Sequence, residues 1–146
     1  MPRRIYTPTS LPLQVKRSAT GLGMFAGAPI PKDTCIIEYV GKEISPEEAY
    51  TSKSKYLFEI TKKRTIDGKP KWNRAGYINH SCKPNAEAVI HKGRIFIFAT
   101  KNIPAGAEIT YDYGKEYIAD HCTPCKCASC APQLHEKFRR NQHAVV

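Results

Sequence analysis

Four of the six cysteines crowd into residues 122–130, and Cys125, Cys127 and Cys130 place three thiols within six residues. Soft ligands at that spacing converge on one tetrahedral ion once a fourth joins them. Cys82 is the natural fourth, with Cys122 and His121 as rivals; the bland alternative is a set of unliganded structural thiols. Cys35 sits in the apolar run CIIEYV and reads as a core thiol. A secreted disulfide scaffold would spread its cysteines through a shorter chain, so reduced thiols inside a cell are expected.

Cys82 also ends a second dense stretch, YINHSCKPN at residues 77–85. An apolar pair runs straight into Asn79, His80, Ser81 and Cys82. A capped turn is the plain reading. An Asn amide, however, carries both donors and an acceptor, as recognition of the charged ends of an amino acid requires.

Tyr111-Asp112-Tyr113-Gly114 closes a β-rich run, and alternation turns both tyrosines to one face. They are either core phenols with satisfied hydroxyls or the lining of a pocket. Gly21-Leu22-Gly23 allows a tight turn or a close approach of backbone to ligand. It lacks the third glycine and the following helix of a dinucleotide fingerprint. The sequence shows no Ser-His-carboxylate arrangement, HExxH or phosphate loop.

The elements that must position these residues are mostly short strands. Cys35–Val40, Tyr56–Ile60, Ala86–Ile90, Ile95–Thr100 and Ile109–Tyr113 are rich in β-formers. Gly93 makes His91–Arg94 a four-residue hairpin loop. Ser45-Pro46-Glu47-Glu48 sets Ser at the N-cap, Pro at N1 and Glu at N3 of a short helix ending near Ser52 or Lys53. A second helix is expected over Pro132–Asn141, its late basic residues suiting the helix dipole.

The 146 residues fit one domain with its own core. The net charge of +10 points to an acidic partner such as nucleic acid or nucleoprotein, or simply to a basic solvated face. No apolar run approaches the roughly 20 residues of a membrane span, and the N-terminus lacks the apolar core of a secretory signal.

Taken in order, GLGMFAGAPIPKDTCIIEYVGKEIS, KYLFEI, TIDG, YINHSCKPN, IFIFATKNIPAGAEITYDYG and the CKCASC tail resemble the SET-domain protein lysine methyltransferases. The likeness covers about residues 15–130, and its most specific part is NHSCKPN followed by GAEITYDYG. It implies a mainly β fold of short strands in small sheets, with few short helices and a knot-like threading of the C-terminal chain. Such threading is an exception to the rule that chains avoid passing through loops. The implied division is an N-terminal extension at 1–14, the SET domain at 15–117, and a post-SET-like cysteine segment with a basic tail at 118–146.

The same resemblance implies S-adenosylmethionine as methyl donor. It is held by the main chain around Gly21, Leu22 and Gly23, by Asn79 and His80, and by Tyr117 against the adenine. Tyr113 corresponds to the active-site tyrosine, Tyr56 to the second tyrosine of the lysine channel, and Tyr111 to the position that sets the methyl count. One zinc ion is implied at Cys82, Cys125, Cys127 and Cys130. The substrate is a basic protein or peptide, a histone or a DNA-binding protein, with nucleic acid meeting the basic surface and no membrane involved. Glu43, Glu47, Glu48, Glu108, Asp112 and Glu116 fall in segments expected to flank the peptide groove.

Two departures stand out. Gly76-Tyr77 replaces the Arg-Phe pair usual before Ile-Asn-His, and the tail spacing C-x-C-x2-C is shorter than the usual C-x-C-x4-C. No cysteine-rich segment precedes the domain, which suggests a compact stand-alone enzyme. Its expected place is intracellular, the bacterial cytoplasm first and a nucleus or host nucleus second. The rival reading is a non-catalytic, zinc-stabilised binding module for nucleoprotein.

Overall fold

The computed structural model describes residues 4–114 and 124–144. Its strands form three small sheets. The first joins β1 (Leu13–Ser18), β2 (Gly21–Ala26), β10 (Glu108–Tyr111) and β7 (Asn79–His80) in the order β1-β2-β10-β7. The second has the order β3-β9-β8, from β3 (Cys35–Tyr39), β9 (Arg94–Ala99) and β8 (Ala86–His91). The third is β4-β6-β5, from β4 (Lys42–Ile44), β6 (Arg64–Asp67) and β5 (Leu57–Thr61). The fold is therefore mainly β, as expected.

The core gathers between the first two sheets. Met24, Ile36, Ile78, Ile95, Ile97 and Ile109 are fully buried and belong to one cluster. Every residue of β9 after Arg94 is buried, so this central strand reads as a continuous apolar run with no alternation. Cys35 packs with Phe96 and Phe98 in a smaller cluster. Burial, with Glu38 nearby, pushes its thiol up to about 11, the behaviour of the core thiol expected.

The short helix is α1, Pro46–Thr51; Ser45 caps it by accepting the Glu48 N–H at 3.1 Å, and Ser52 is its C-cap. The second, α2, covers Pro132–Ala144, three residues beyond the expected end. The β8–β9 hairpin is tighter than expected. His91 and Arg94 are themselves paired, and Lys92 and Gly93 form a two-residue turn with φ of 51° and 75°. Positive φ at both positions is the primed turn whose twist matches the strands.

The largest difference lies at Gly21-Leu22-Gly23. These residues are not the turn; they begin β2, and the turn before it is Ala19-Thr20, closed by the Ser18–Gly21 pair. Only Gly21 needs left-handed freedom, with φ of 110°. Strands β1, β2, β4, β6 and β7 were not anticipated: β4, β6 and β7 are four residues or fewer, too short for periodicity to register. The knot-like threading concerns chain beyond Gly114, and residues 115–123 lie outside those described.

Candidate active site and metal centre

The stretch YINHSCKPN acts as a clasp on β10. Asn79 and His80 pair in parallel with Thr110 and Tyr111. The Ser81 N–H donates to the Tyr111 carbonyl at 3.1 Å. Asn85 then stands in for a neighbouring strand: its Oδ1 accepts the Thr110 N–H and its Nδ2 donates to the Glu108 carbonyl, both at 2.9 Å. Polar residues follow the apolar pair because they complete the edge of an otherwise unpaired strand.

At one end of this clasp the Asn79 amide nitrogen donates to Glu108 Oε2 at 2.8 Å and lies 3.1 Å from both Ser18 Oγ and the Leu22 carbonyl. Three acceptors around one atom fix which end of the amide is nitrogen. The amide oxygen is thereby turned away from them, an acceptor of the kind an ammonium group needs. Gly23 lies beside this group: a Cβ there would sit 2.5 Å from Glu108 Oε2 and 3.0 Å from Asn79 Nδ2. Burial holds the Glu108 carboxyl above its ordinary range, opposed by the Asn79 hydrogen bond and the charge of His135. Glu108 thus faces Asn79 and Gly23.

The three tyrosines converge. Tyr56, Tyr111 and Tyr113 line one narrow cavity of about 70 Å³ with Tyr39, Phe58 and Ile78. The Tyr111 and Tyr113 rings lie 4.9 Å apart at 55°, so the shared face predicted from alternation holds. The Tyr113 hydroxyl donates to the Ile78 carbonyl. Tyr56 is held by its backbone: its carbonyl accepts from Tyr39 Oη and from the Gly68 N–H, both at 2.8 Å. Its N–H donates to Ser54 Oγ, which in turn donates to Asp67. A broader cleft of about 400 Å³ shares Phe58, Tyr111 and Tyr113 and is bordered by Glu87 and Asp112.

Behind the cavity, buried Asn73 accepts the Val40 N–H and donates to the Gly68 carbonyl. It ties β3, β6 and the 3-10 turn Arg74–Tyr77 together. Sequence reading missed Asn73, Ser18 and Tyr39, which carry no motif signal. Glu108 was visible, as the residue before ITYDY, but its contact with Asn79 was not.

The other end of the clasp is the thiol cluster. Cys82 Sγ lies 4.0 Å from Cys125 Sγ and 3.6 Å from Cys130 Sγ. Those distances bracket the edge, about 3.8 Å, of a sulfur tetrahedron with metal–sulfur bonds of about 2.3 Å. The ligand atoms of His80, Cys82, Cys125 and Cys127 all lie within 4.8 Å of one another. Burial alone would raise the Cys127 thiol, yet main-chain N–H groups of Cys82 and Cys130 and neighbouring thiols bring it down to about 6. Hydrogen bonding with Cys130, then burial, pushes Cys82 up to about 12. Crowded thiols that must share protons are the donor set a soft cation binds by displacing those protons. The shorter tail spacing does not prevent the sulfurs from meeting.

His80 joins the two ends. Its Nδ1 accepts the Tyr113 N–H at 3.0 Å and lies 3.6 Å from Asp112 Oδ1, while Nε2 is 3.3 Å from Cys82 Sγ. Burial lowers its pKa, with Asp112 opposing. Tyr117, His121, Cys122 and Glu116 fall outside the described residues. Of the remaining acidic residues, Glu43 is paired with Arg64 at 2.6 Å, and Glu47 and Glu48 lie exposed in the first turn of α1. Among the described residues, no helix is long and apolar enough to cross a membrane.

Comparison with known proteins matches residues 21–114 to the SET domain. The chain is 35% identical over 141 residues to histone-lysine N-methyltransferase 2D of Homo sapiens, covering 87% of this chain and 2% of that protein. It is 38% identical over 136 residues to an H3 lysine-4 specific histone-lysine N-methyltransferase of Chaetomium globosum, covering 82% of this chain and 13% of that one. It is 40% identical over 123 residues to histone-lysine N-methyltransferase trr of Drosophila melanogaster, covering 75% and 5%. The chain therefore spans no more than 13% of the length of these relatives.

Proposed function

The chain belongs to the SET-domain family, and from that premise we propose that it is a protein-lysine N-methyltransferase using S-adenosylmethionine on a histone or another basic nucleoprotein. The observation that carries this reading is the convergence of Tyr56, Tyr111 and Tyr113 on one narrow cavity, with Asn79 and Gly23 gathered beside it on β2, β7 and β10. The three phenols together with the Asn79 amide favour this reading over a non-catalytic binding module. In the proposal the catalytic domain runs over 15–117, and the cysteine segment and basic tail follow at 118–146.

When bound, the donor supplies an electrophilic methyl on a positively charged sulfonium. Gly21, Leu22 and Gly23 would offer it main-chain contacts, the Asn79 amide oxygen its ammonium, and His80 further main-chain contacts. The absence of a side chain at Gly23 lets Glu108 and Asn79 close against β2, which fixes the Asn79 amide.

The acceptor lysine must be neutral to react. At a reference pKa of ~10.4, about one lysine in 2,500 is neutral at pH 7. The cavity is lined by phenols, apolar groups and Lys55, with neither histidine nor carboxylate. Burial there favours the neutral amine. Tyr113, anchored on the Ile78 carbonyl, orients the amine; Tyr56 and Tyr111 shape the channel. Positioning and desolvation carry the rate.

Cys82, Cys125, Cys127 and Cys130 would hold one zinc ion, whose chemistry here is structural: it would tie the C-terminal segment to the clasp. A substrate of this class places the protein inside a cell, where histones and other nucleoproteins reside. The net charge of +10 supports contact of the body with the nucleic acid that such substrates carry. The test is transfer of a labelled methyl group from S-adenosylmethionine to histones and to an extract of DNA-binding proteins, read by mass spectrometry. Absence of any labelled lysine would refute the proposal.

A further inference from the structure

We infer that His80 is a positioning residue: its imidazole ties the cysteine centre to the active-site strand, donating through Nε2 to the Cys82 sulfur and accepting the Tyr113 N–H at Nδ1. The inference rests on the proposed metal centre and lysine channel and adds a physical link between them.

Five side chains compete for four positions around a tetrahedral ion: His80 and the four cysteines. The other side of the imidazole decides among them. A main-chain N–H can only donate, so the 3.0 Å contact from Tyr113 makes Nδ1 an acceptor. A neutral imidazole then carries its proton on Nε2, the atom 3.3 Å from Cys82 Sγ. A protonated nitrogen cannot ligate a metal; it can donate to a thiolate that does. Asp112 Oδ1, 3.6 Å from Nδ1, does not alter this, because the Tyr113 N–H occupies the lone pair through which Nδ1 would otherwise hold a proton. The four cysteines are left as the ligands, with His80 behind Cys82.

The position of Tyr113 gives the link its consequence. Strand β10 ends at Tyr111, so Tyr113 lies past the ladder, and its N–H is taken by a side chain. That residue also sends its hydroxyl to the Ile78 carbonyl, two residues before His80. The imidazole is rigid and has two reaching atoms, so movement of Cys82 when a metal binds or leaves is passed to the backbone of Tyr113. Histidine suits this place because Asn reproduces only the Nδ1 position and Gln only the Nε2 position.

The experiment uses the full chain, loaded with zinc or with cobalt(II), as wild type, His80→Asn and His80→Gln. Metal affinity is read by chelator competition, and the thiolate-to-cobalt absorption band reports the cysteine centre independently of activity. kcat and KM are measured on the methylated substrate. His80→Asn should lose about 10-fold or more in zinc affinity and shift the cobalt band. His80→Gln should keep the band and lower kcat about 10-fold at unchanged KM. Separation of the two effects supports the link, since a merely structural histidine would degrade both together. Wild-type metal affinity and spectrum in His80→Asn, or parallel loss of both properties in both variants, overturns it. A wild type that takes up no metal overturns the proposed metal centre and this link at once, whereas metal-loaded wild type with insensitive variants overturns the link alone.

Discussion

The rings of Tyr111 and Tyr113 lie 4.9 Å apart at 55°, but the two residues are held differently. Tyr111 is the last residue of β10 and is buried; Tyr113 is partly exposed beyond it and is fastened at its N–H by His80 and at its hydroxyl by Ile78. Neighbours on one face therefore take different proposed roles.

Tyr113→Phe removes a hydroxyl at the reacting centre and leaves the ring packing intact. Methyl transfer should fall by at least ~10²-fold, comparable to losing one preorganised donor. The thermal midpoint should move little, because the backbone anchor on His80 is untouched. Initial rates and a melting curve on the same sample decide this; wild-type turnover would remove Tyr113 from the chemistry.

Tyr111→Phe should instead keep activity and change the product. A hydroxyl in the cavity restricts how much methylated amine fits, and removing it makes room. The wild type should stop at one or two methyls, with trimethyl-lysine appearing in the variant. Intact-mass and fragment spectra of the methylated peptide read the outcome, and an inactive Tyr111→Phe beside an active Tyr113→Phe would reverse the two assignments.

Glu108 links stability to pH. Its folded-state carboxyl is held above the reference value of 4.5 by burial, so the folded chain binds this proton more tightly than the unfolded chain. The stabilisation is complete below the unfolded value and is lost as pH rises through the raised folded one. Glu108→Gln, which can still accept from Asn79, lacks that loss. Its stability relative to wild type should climb as pH rises from about 4 to 7. Urea unfolding across that range tests the sign, and a flat difference would contradict it.

The thiol centre predicts about one zinc per chain in reduced protein, detectable by elemental analysis. Removing it with a chelator should lower the thermal midpoint and the turnover together. After chelation, alkylation at pH 8 should label Cys127, whose thiol is brought down to about 6, before Cys35, whose thiol is pushed up to about 11 and whose reactive thiolate is scarce. Metal-free protein with full activity would end this reading.

The chemistry-bearing residues were legible in the sequence because they are dense and typed. Thiols at ligand spacing, NHSC after an apolar pair, and tyrosines two apart in a β-rich run need no fold to be noticed. The ordering of these pieces was enough to identify the family. The strands of β3, β5, β8 and β9 were legible as well, since β-branched and aromatic runs carry a local signal.

What only the tertiary structure decided are the relationships between segments far apart in the chain. Asn79 meets Ser18 and Glu108, 61 and 29 residues away, and Asn85 stands in for a strand beside Glu108 and Thr110. Sequence did not show that Glu108 meets Asn79 or that Gly21–Gly23 begin a strand. Side-chain direction depends on which strand lies alongside, and residue types do not encode that local choice. The same limit applies to His80: its ring reads equally well as metal ligand or turn residue until Tyr113 and Cys82 are found on its two nitrogens. Composition and motif supply the groups, while long-range packing decides which atom of each group faces which partner, because hydrogen bonds are directional and must be closed wherever backbone is buried.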